Sequence, residues 1–154
     1  MIPNITLHTL STEQVLPSLR LTDNEVQIWQ TSLEAPAATV TQFMQLLSTD
    51  EQERARRFYF ERDRRRYIVA RSTLRKLLGG YLDCASSTVR FTYAAQGKPA
   101  LAAQATEQPL YFNVSHSHES ALFAFAWNQE VGIDIEAMRS EVEIESIFPT
   151  ISSP

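Results

Sequence analysis

The chain has 154 residues, 44% of them hydrophobic and 21% charged, with a formal net charge of −4, a balance that fits one globular domain with one core. No apolar run reaches the roughly 18–20 residues that cross a bilayer, and Met1-Ile2-Pro3-Asn4 has neither the basic nor the apolar part of a secretory signal. Cys84 is the only cysteine, which excludes an intrachain disulfide and agrees with a reducing cytoplasm.

The first 23 residues are polar and weakly patterned, with Pro3 and Pro17, and predict an irregular arm. Val26 and Ile28 alternate with polar neighbours between Asn24 and Leu33, the period of a strand, and Pro36 ends it. Val40, Phe43, Met44 and Leu47 return at helical spacing. Ser48 and Glu51 form a capping box that opens a helix running to about Tyr59. A longer helix follows from about Arg62 to Leu82, with Tyr67, Ala70, Leu74, Leu77, Leu78 and Tyr81 as its buried stripe and Gly79-Gly80 weakening its last turn. Thr88 to Tyr93 alternates as a strand, and Gln96-Gly97-Lys98-Pro99 makes a turn. Leu110–Val114, Ser120–Trp127 and Glu130–Glu136 read as three further strands, the last two joined by an Asn128-Gln129 hairpin connection. Ser140 to about Phe148 predicts a helix stopped by Pro149. The sum is an α+β architecture, helices packed on an antiparallel sheet.

Charge is distributed unevenly along these elements. Ten of the 14 basic residues lie between Arg54 and Lys76, with only Glu61 and Asp63 among them, whereas beyond Ala100 Arg139 accompanies eight acidic residues. Such a split suits a local site for a phosphate-rich anion and a separate acidic region able to hold a metal. It does not suit a surface coated for nucleic acid, and the basic stretch lacks the aromatic studding of such a surface.

Four groups could carry chemistry. Asp134 and Glu136 are two apart on a strand, so its period places them on one face while Ile133 and Ile135 face a core. They are either solvated carboxylates or ligands of Mg²⁺, which takes one or two protein carboxylates and completes its shell with water and substrate phosphates; Gly132 just before them permits close backbone approach. Ser115-His116-Ser117-His118 falls at or just past a strand end, where it either satisfies backbone groups or donates to phosphate oxygens. A Ser-His nucleophile lacks its G-x-S-x-G elbow, and zinc on His116 and His118 lacks further ligands. Arg64, Arg65 and Arg66 spread around a helix and cannot all reach one ligand; they are either a solvated helix face or, with Arg66 next to the expected buried stripe at a cleft edge, a source of one or two guanidinium forks that match phosphate. Gly97-Lys98-Pro99 is a turn rather than a P-loop, yet it can present a point charge to a phosphate.

In the order Arg56-Arg57-Phe58, Arg71, Gly97-Lys98-Pro99, Phe112-Asn113-Val114-Ser115-His116-Ser117 and Val131-Gly132-Ile133-Asp134-Ile135-Glu136, the chain resembles the 4′-phosphopantetheinyl transferases of the larger, surfactin-synthetase-activating type, especially the cyanobacterial branch. The resemblance implies one half of a pseudo-twofold α+β fold and transfer of the phosphopantetheine arm of coenzyme A to a serine of an apo acyl or peptidyl carrier protein. It implies Asp134 and Glu136 as ligands of Mg²⁺ and, with His116, as catalytic residues. Lys98, Pro99, Ser115 and His116 then contact the coenzyme, and Arg54 and Arg66 lie near its adenosine 3′-phosphate; Glu51 stands where some relatives carry a lysine. The family's W-x-x-K-E-x-x-x-K helix is absent from the 154 residues. By this reading residues 24–147 are an N-terminal half, 148–154 an atypical tail, and turnover low unless a homodimer rebuilds the cleft. The other readings are a non-catalytic interaction remnant and a nucleic-acid module using the arginine-rich helices; neither a membrane nor a nucleic acid is the expected partner.

Overall fold

Apolar alternation and helical periodicity sort the chain into strands β1 (Asn4–Leu10), β2 (Glu25–Ser32), β3 (Phe91–Tyr93), β4 (Pro99–Leu101), β5 (Leu110–Ser117), β6 (Ser120–Trp127), β7 (Asp134–Met138) and β8 (Glu141–Ser146), and helices α1 (Ala37–Met44), α2 (Thr49–Arg56) and α3 (Glu61–Leu82). The structure is a computed structural model that describes residues 3–16, 18–102, 108–138 and 141–146, with backbone alone for 134–138 and 141–146. The chain forms two units, one of residues 1–9, 20–30 and 90–154, the other of 10–19 and 31–89. The α+β expectation holds: the first unit is built of strands and the second carries the three helices.

In the strand unit the main sheet has the order β1-β2-β6-β5. β6 is interior because Ala121 to Ala126 are all buried, the continuous apolar run of a strand covered on both faces. On one face Leu122, Ala124 and Ala126 join Val26, Ile28, Val131 and Ile133 in one cluster; the two alanines leave room for the segment bearing Val131 and Ile133. On the other face Phe125 meets Phe112 (centroids 6.4 Å apart), and Phe112 meets Phe91 edge-on at 6.0 Å, a favoured aromatic geometry. β5 and β6 pair antiparallel from Leu110↔Trp127 to Ser117↔Ser120.

Three segments differ from their sequence patterns. The expected irregular arm contains β1, the outermost strand. Its binary pattern is inverted: Ile5 and Leu7 are exposed, while Thr6 Oγ1 donates to Glu25 Oε2 at 3.3 Å and the His8 ring stacks on Trp29 at 4.5 Å. Asn128 does not lead into a hairpin partner of β6. It adopts a left-handed φ of 61°, its N–H donates to the Pro109 carbonyl at 2.9 Å, and strand structure resumes only at Asp134. The helix expected after Ser140 is strand β8, antiparallel to β7; Val142 and Ile144 alternate with glutamates, and β-branched side chains favour the pleated form. The expected tail, 148–154, lies outside the described residues.

In the helical unit the capping box is present: the Glu51 N–H donates to Ser48 Oγ, and the Ser48 N–H donates to Glu51 Oε1 at 2.8 Å. α2 ends at Arg56, earlier than Tyr59. The buried surface of α3 is wider than the expected stripe. Ile68 and Val69 are buried, Tyr67 and Ala70 only partly, and from Ser72 almost every position is covered, Arg75 included. Arg75 Nε donates to Glu51 Oε1 at 2.7 Å, and Arg71 Nη1 to Glu51 Oε2 at 2.9 Å. Arg75 Nη1 also donates to the carbonyls of Ser86 (3.1 Å) and Val89 (2.9 Å). Those bonds hold the chain in a 3₁₀ turn at Ser86–Thr88, so the strand expected from Thr88 begins only at Phe91. Gly79 lies so close to the loop after α3 that a Cβ would stand 2.7 Å from the Cys84 carbonyl oxygen.

Burial pushes the Glu51 carboxyl up, but hydrogen bonds from Arg75 and the Ser48 N–H, the Arg75 charge and the bond from Arg71 together hold it below its ordinary 4.5. Its stabilising contribution is therefore complete above pH 4.5 and drains away as pH falls through the lower folded value. Glu51→Gln leaves the Arg75 guanidinium buried without a counter-charge, which costs about 3–5 kcal/mol. Urea unfolding across pH 3–7 should show that loss at neutral pH and a flatter acid limb than wild type. Gly79→Ala, meeting backbone rather than a flexible side chain, should cost about 1–3 kcal/mol, read as a lowered urea midpoint with an unchanged slope.

Candidate functional site

Ser115 and His116 lie inside β5 rather than at or past its end. The strand runs to Ser117, and the hairpin turns at His118-Glu119, with His118 at φ 51°. As neighbours on a strand they face opposite sides; His116 is exposed and Ser115 partly so. β5 is the terminal strand in the order β1-β2-β6-β5, and of the two side chains only that of His116 is exposed.

Asn113, two residues before Ser115, supplies a link that the pattern did not disclose. Its Oδ1 accepts the Ile133 N–H at 3.3 Å, tying β5 to the residue that immediately precedes Asp134. β5 and β7 are neighbours in space, so the backbone bearing Ser115-His116 runs beside the backbone bearing Asp134 and Glu136. The β7–β8 register shifts between Asp134 and Glu136; the side chains of both lie outside the described residues. In the sequence Asn113 appears only as part of the Phe112–Ser117 motif, with no sign of its partner; at a partly buried strand position an amide must find one.

The Gly97-Lys98-Pro99 turn is formed as expected. Gly97 takes φ 83°, the Gly97 N–H donates to Ala94 O at 2.8 Å, and the Ala94 N–H to Lys98 O at 3.1 Å. Lys98 and Pro99, with Tyr111, Phe112, Val131 and Gly132, line a cavity of about 370 Å³. Thus the lysine turn, strand β5 and the glycine before Asp134 share one hollow of the strand unit, while Ser115 and His116 are not among its described lining residues.

The basic residues of the helical unit divide by partner. Arg71 and Arg75 serve Glu51. Arg64 and Arg65 both face Glu61, at 3.8 and 3.2 Å, and Arg66 Nη2 reaches Glu34 Oε1 at 3.1 Å while its Nε is buried with no hydrogen-bond partner among the described residues. The three consecutive arginines therefore do not converge on one partner: two share Glu61 and the third turns to Glu34. Arg54 is exposed, its guanidinium 5.6 Å from the Tyr67 ring centroid, as is that of Arg71, within cation–π range. Aromatic studding, missing from the sequence expectation, is present: Tyr59 and Phe60 are 91% and 60% exposed beside exposed Arg56 and Arg57.

Among the described residues no group of three or more His, Cys, Asp or Glu could hold a metal, and no helix is long and apolar enough to cross a membrane. Replacing Asn113 by Ala should strand the Ile133 N–H at a cost of about 1–3 kcal/mol. Hydrogen exchange at the Ile133 amide should accelerate at the same time, a local readout beyond global stability.

Comparison with known proteins adds independent findings. The family described as 4′-phosphopantetheinyl transferase, N-terminal, matches residues 27–128. The 4′-phosphopantetheinyl transferase HetI of Nostoc sp. is 40% identical over 131 residues, 85% of this chain and 55% of the relative. The 4′-phosphopantetheinyl transferase Sfp of Bacillus subtilis is 33% identical over 95 residues, 61% of this chain and 40% of the relative. The human L-aminoadipate-semialdehyde dehydrogenase-phosphopantetheinyl transferase is 34% identical over 91 residues, 58% and 29% respectively. The chain spans about half the length, or less, of the relatives it matches.

Proposed function

Since this chain belongs to the 4′-phosphopantetheinyl transferase family, we propose that it provides the coenzyme-binding part of an enzyme that moves the phosphopantetheine arm of coenzyme A onto a serine of an acyl or peptidyl carrier protein. Residues 24–147 are the corresponding N-terminal half, and the proposed setting is cytoplasmic. The observation that carries the reading is the Asn113–Ile133 tie, which fastens the Ser115-His116 strand to the start of the Asp134–Glu136 strand.

In the proposed reaction the carrier serine oxygen attacks the β-phosphorus of the coenzyme, forms the new P–O ester bond and gives up its proton to water. The bond from that phosphorus to the bridging oxygen breaks, and its electron pair leaves with adenosine 3′,5′-bisphosphate. Such a transfer needs positioning and neutralised charge more than a covalent protein nucleophile. Lys98 offers a point charge from a rigid turn, and the Ser115 hydroxyl and His116 imidazole donate to phosphate oxygens from the two faces of the β5 edge. Arg54 and Arg66 serve the adenosine 3′-phosphate; Arg66 would exchange Glu34 for it, whereas Arg54 is exposed. The donor chemistry at Asp134 and Glu136, two hard carboxylates on one strand, fits Mg²⁺. When bound, that ion would neutralise charge on the diphosphate.

Isothermal titration of the chain with coenzyme A should show Mg²⁺-dependent binding. Lys98→Ala should weaken it about tenfold, the size of one lost hydrogen bond to a charged group, and Asp134→Asn should remove the Mg²⁺ dependence. No binding with Mg²⁺ present would sink the proposal. Transfer to apo-carrier protein, read as mass gain, should be poor with these 154 residues alone; efficient transfer would mean that two copies complete the site. Binding of single-stranded DNA in place of the coenzyme, with affinity falling steeply in salt, would favour a role for the Tyr59–Phe60 surface instead.

A further inference from the structure

A second hollow, within the helical unit, has a volume of about 710 Å³, inside the range of about 300–1,000 Å³ typical of small-molecule sites. None of the residues assigned to the coenzyme is among its described lining. Its walls are the 12–16 segment, α1 with Leu46 just beyond it, Lys76 of α3 and Ser86. Leu16, Phe43 and Leu46 supply apolar surface, and Glu13 and Thr39 supply polar groups, the Thr39 hydroxyl donating to Glu13 Oε1 at 3.3 Å.

Lys76 is the unusual member. It is partly buried, its Nζ donates to the Thr12 carbonyl at 3.3 Å, and it stands 4.9 Å from the Phe43 ring centroid. Carbonyl and ring fix the ammonium in place and leave further N–H donors free. No carboxylate forms an ion pair with it among the described residues. Burial pushes its pKa down, because a partly desolvated ammonium is disfavoured relative to its neutral form. A fixed, half-desolvated cation opening onto an apolar-walled hollow calls for an anion with a hydrocarbon body. The single ammonium, with Glu13 in the same lining, favours one negative charge over two.

From this arrangement we propose that the cavity binds a small amphipathic monocarboxylate, its carboxyl group on Lys76 and its hydrocarbon part against Leu16, Phe43 and Leu46. The probes are octanoate, octanol and octylammonium, titrated calorimetrically into the full chain. Octanoate should bind, with octanol at least tenfold weaker and octylammonium not detected. Lys76→Met, which keeps the aliphatic stem, should weaken octanoate at least tenfold, and Ala38→Phe, at the cavity wall, should abolish binding. Coenzyme A binding should be unchanged in both variants. Absence of octanoate binding at millimolar concentration, equal binding of octanol, or undiminished binding by a folded Lys76→Met variant would each overturn the proposal. If Lys76→Met loses its helical circular dichroism, the three-ligand comparison on wild type and Ala38→Phe decides alone.

Discussion

The helical unit depends on one buried carboxylate. Glu51 closes the capping box of α2, accepts Arg75 and Arg71 of α3, and through Arg75 is coupled to the carbonyls of Ser86 and Val89. At 3% exposed against 2% for Arg75, neither group is tolerable alone, because an unpaired charge in a low-dielectric interior costs more than the pair gains. The arrangement is thus a constraint more than a source of net stability. It ties α2, the middle of α3 and the 3₁₀ turn to one another.

That constraint also changes how the basic stretch is understood. Its arginines look alike in sequence, yet Arg71 and Arg75 are internal counter-ions, Arg64 and Arg65 share an exposed glutamate, and Arg66 is held by Glu34. Exposed pairs of the Arg65–Glu61 kind contribute little, so a phosphate could displace such a partner far more readily than it could draw Arg75 from Glu51. Exposed Arg54, set over Tyr67, needs no such exchange. Positive charge available to a ligand is therefore concentrated on a few side chains.

In the strand unit, position follows from packing. β6 is covered on both faces, its alanines admit Val131 and Ile133 to one cluster, and this brings the residues before Asp134 against β5. Asn113 then fixes the approach by one hydrogen bond. Strand β5, which bears Ser115 and His116, and the backbone of β7 that follows Ile133 take their spacing from that core.

Sequence alone determined the element types with strong local signals: the capping box at Ser48–Glu51, the period-3.6 pattern of α1 and α3, the alternation in β2 and β5, and the glycine turn before Lys98. These are decided within a few residues, by side-chain direction and backbone sterics. It also carried the ordered motifs that identify the family, since residue identity and order survive without coordinates. Sequence could not show that Glu51 and Arg75, 24 positions apart, form one ion pair, that exposed Ile5 and Leu7 belong to an edge strand, that Asn128 turns away from a hairpin, or that Lys76 fronts a cavity. Each of those outcomes was settled by tertiary structure, because burial and pairing depend on which distant segments meet. Local propensity is silent on that meeting.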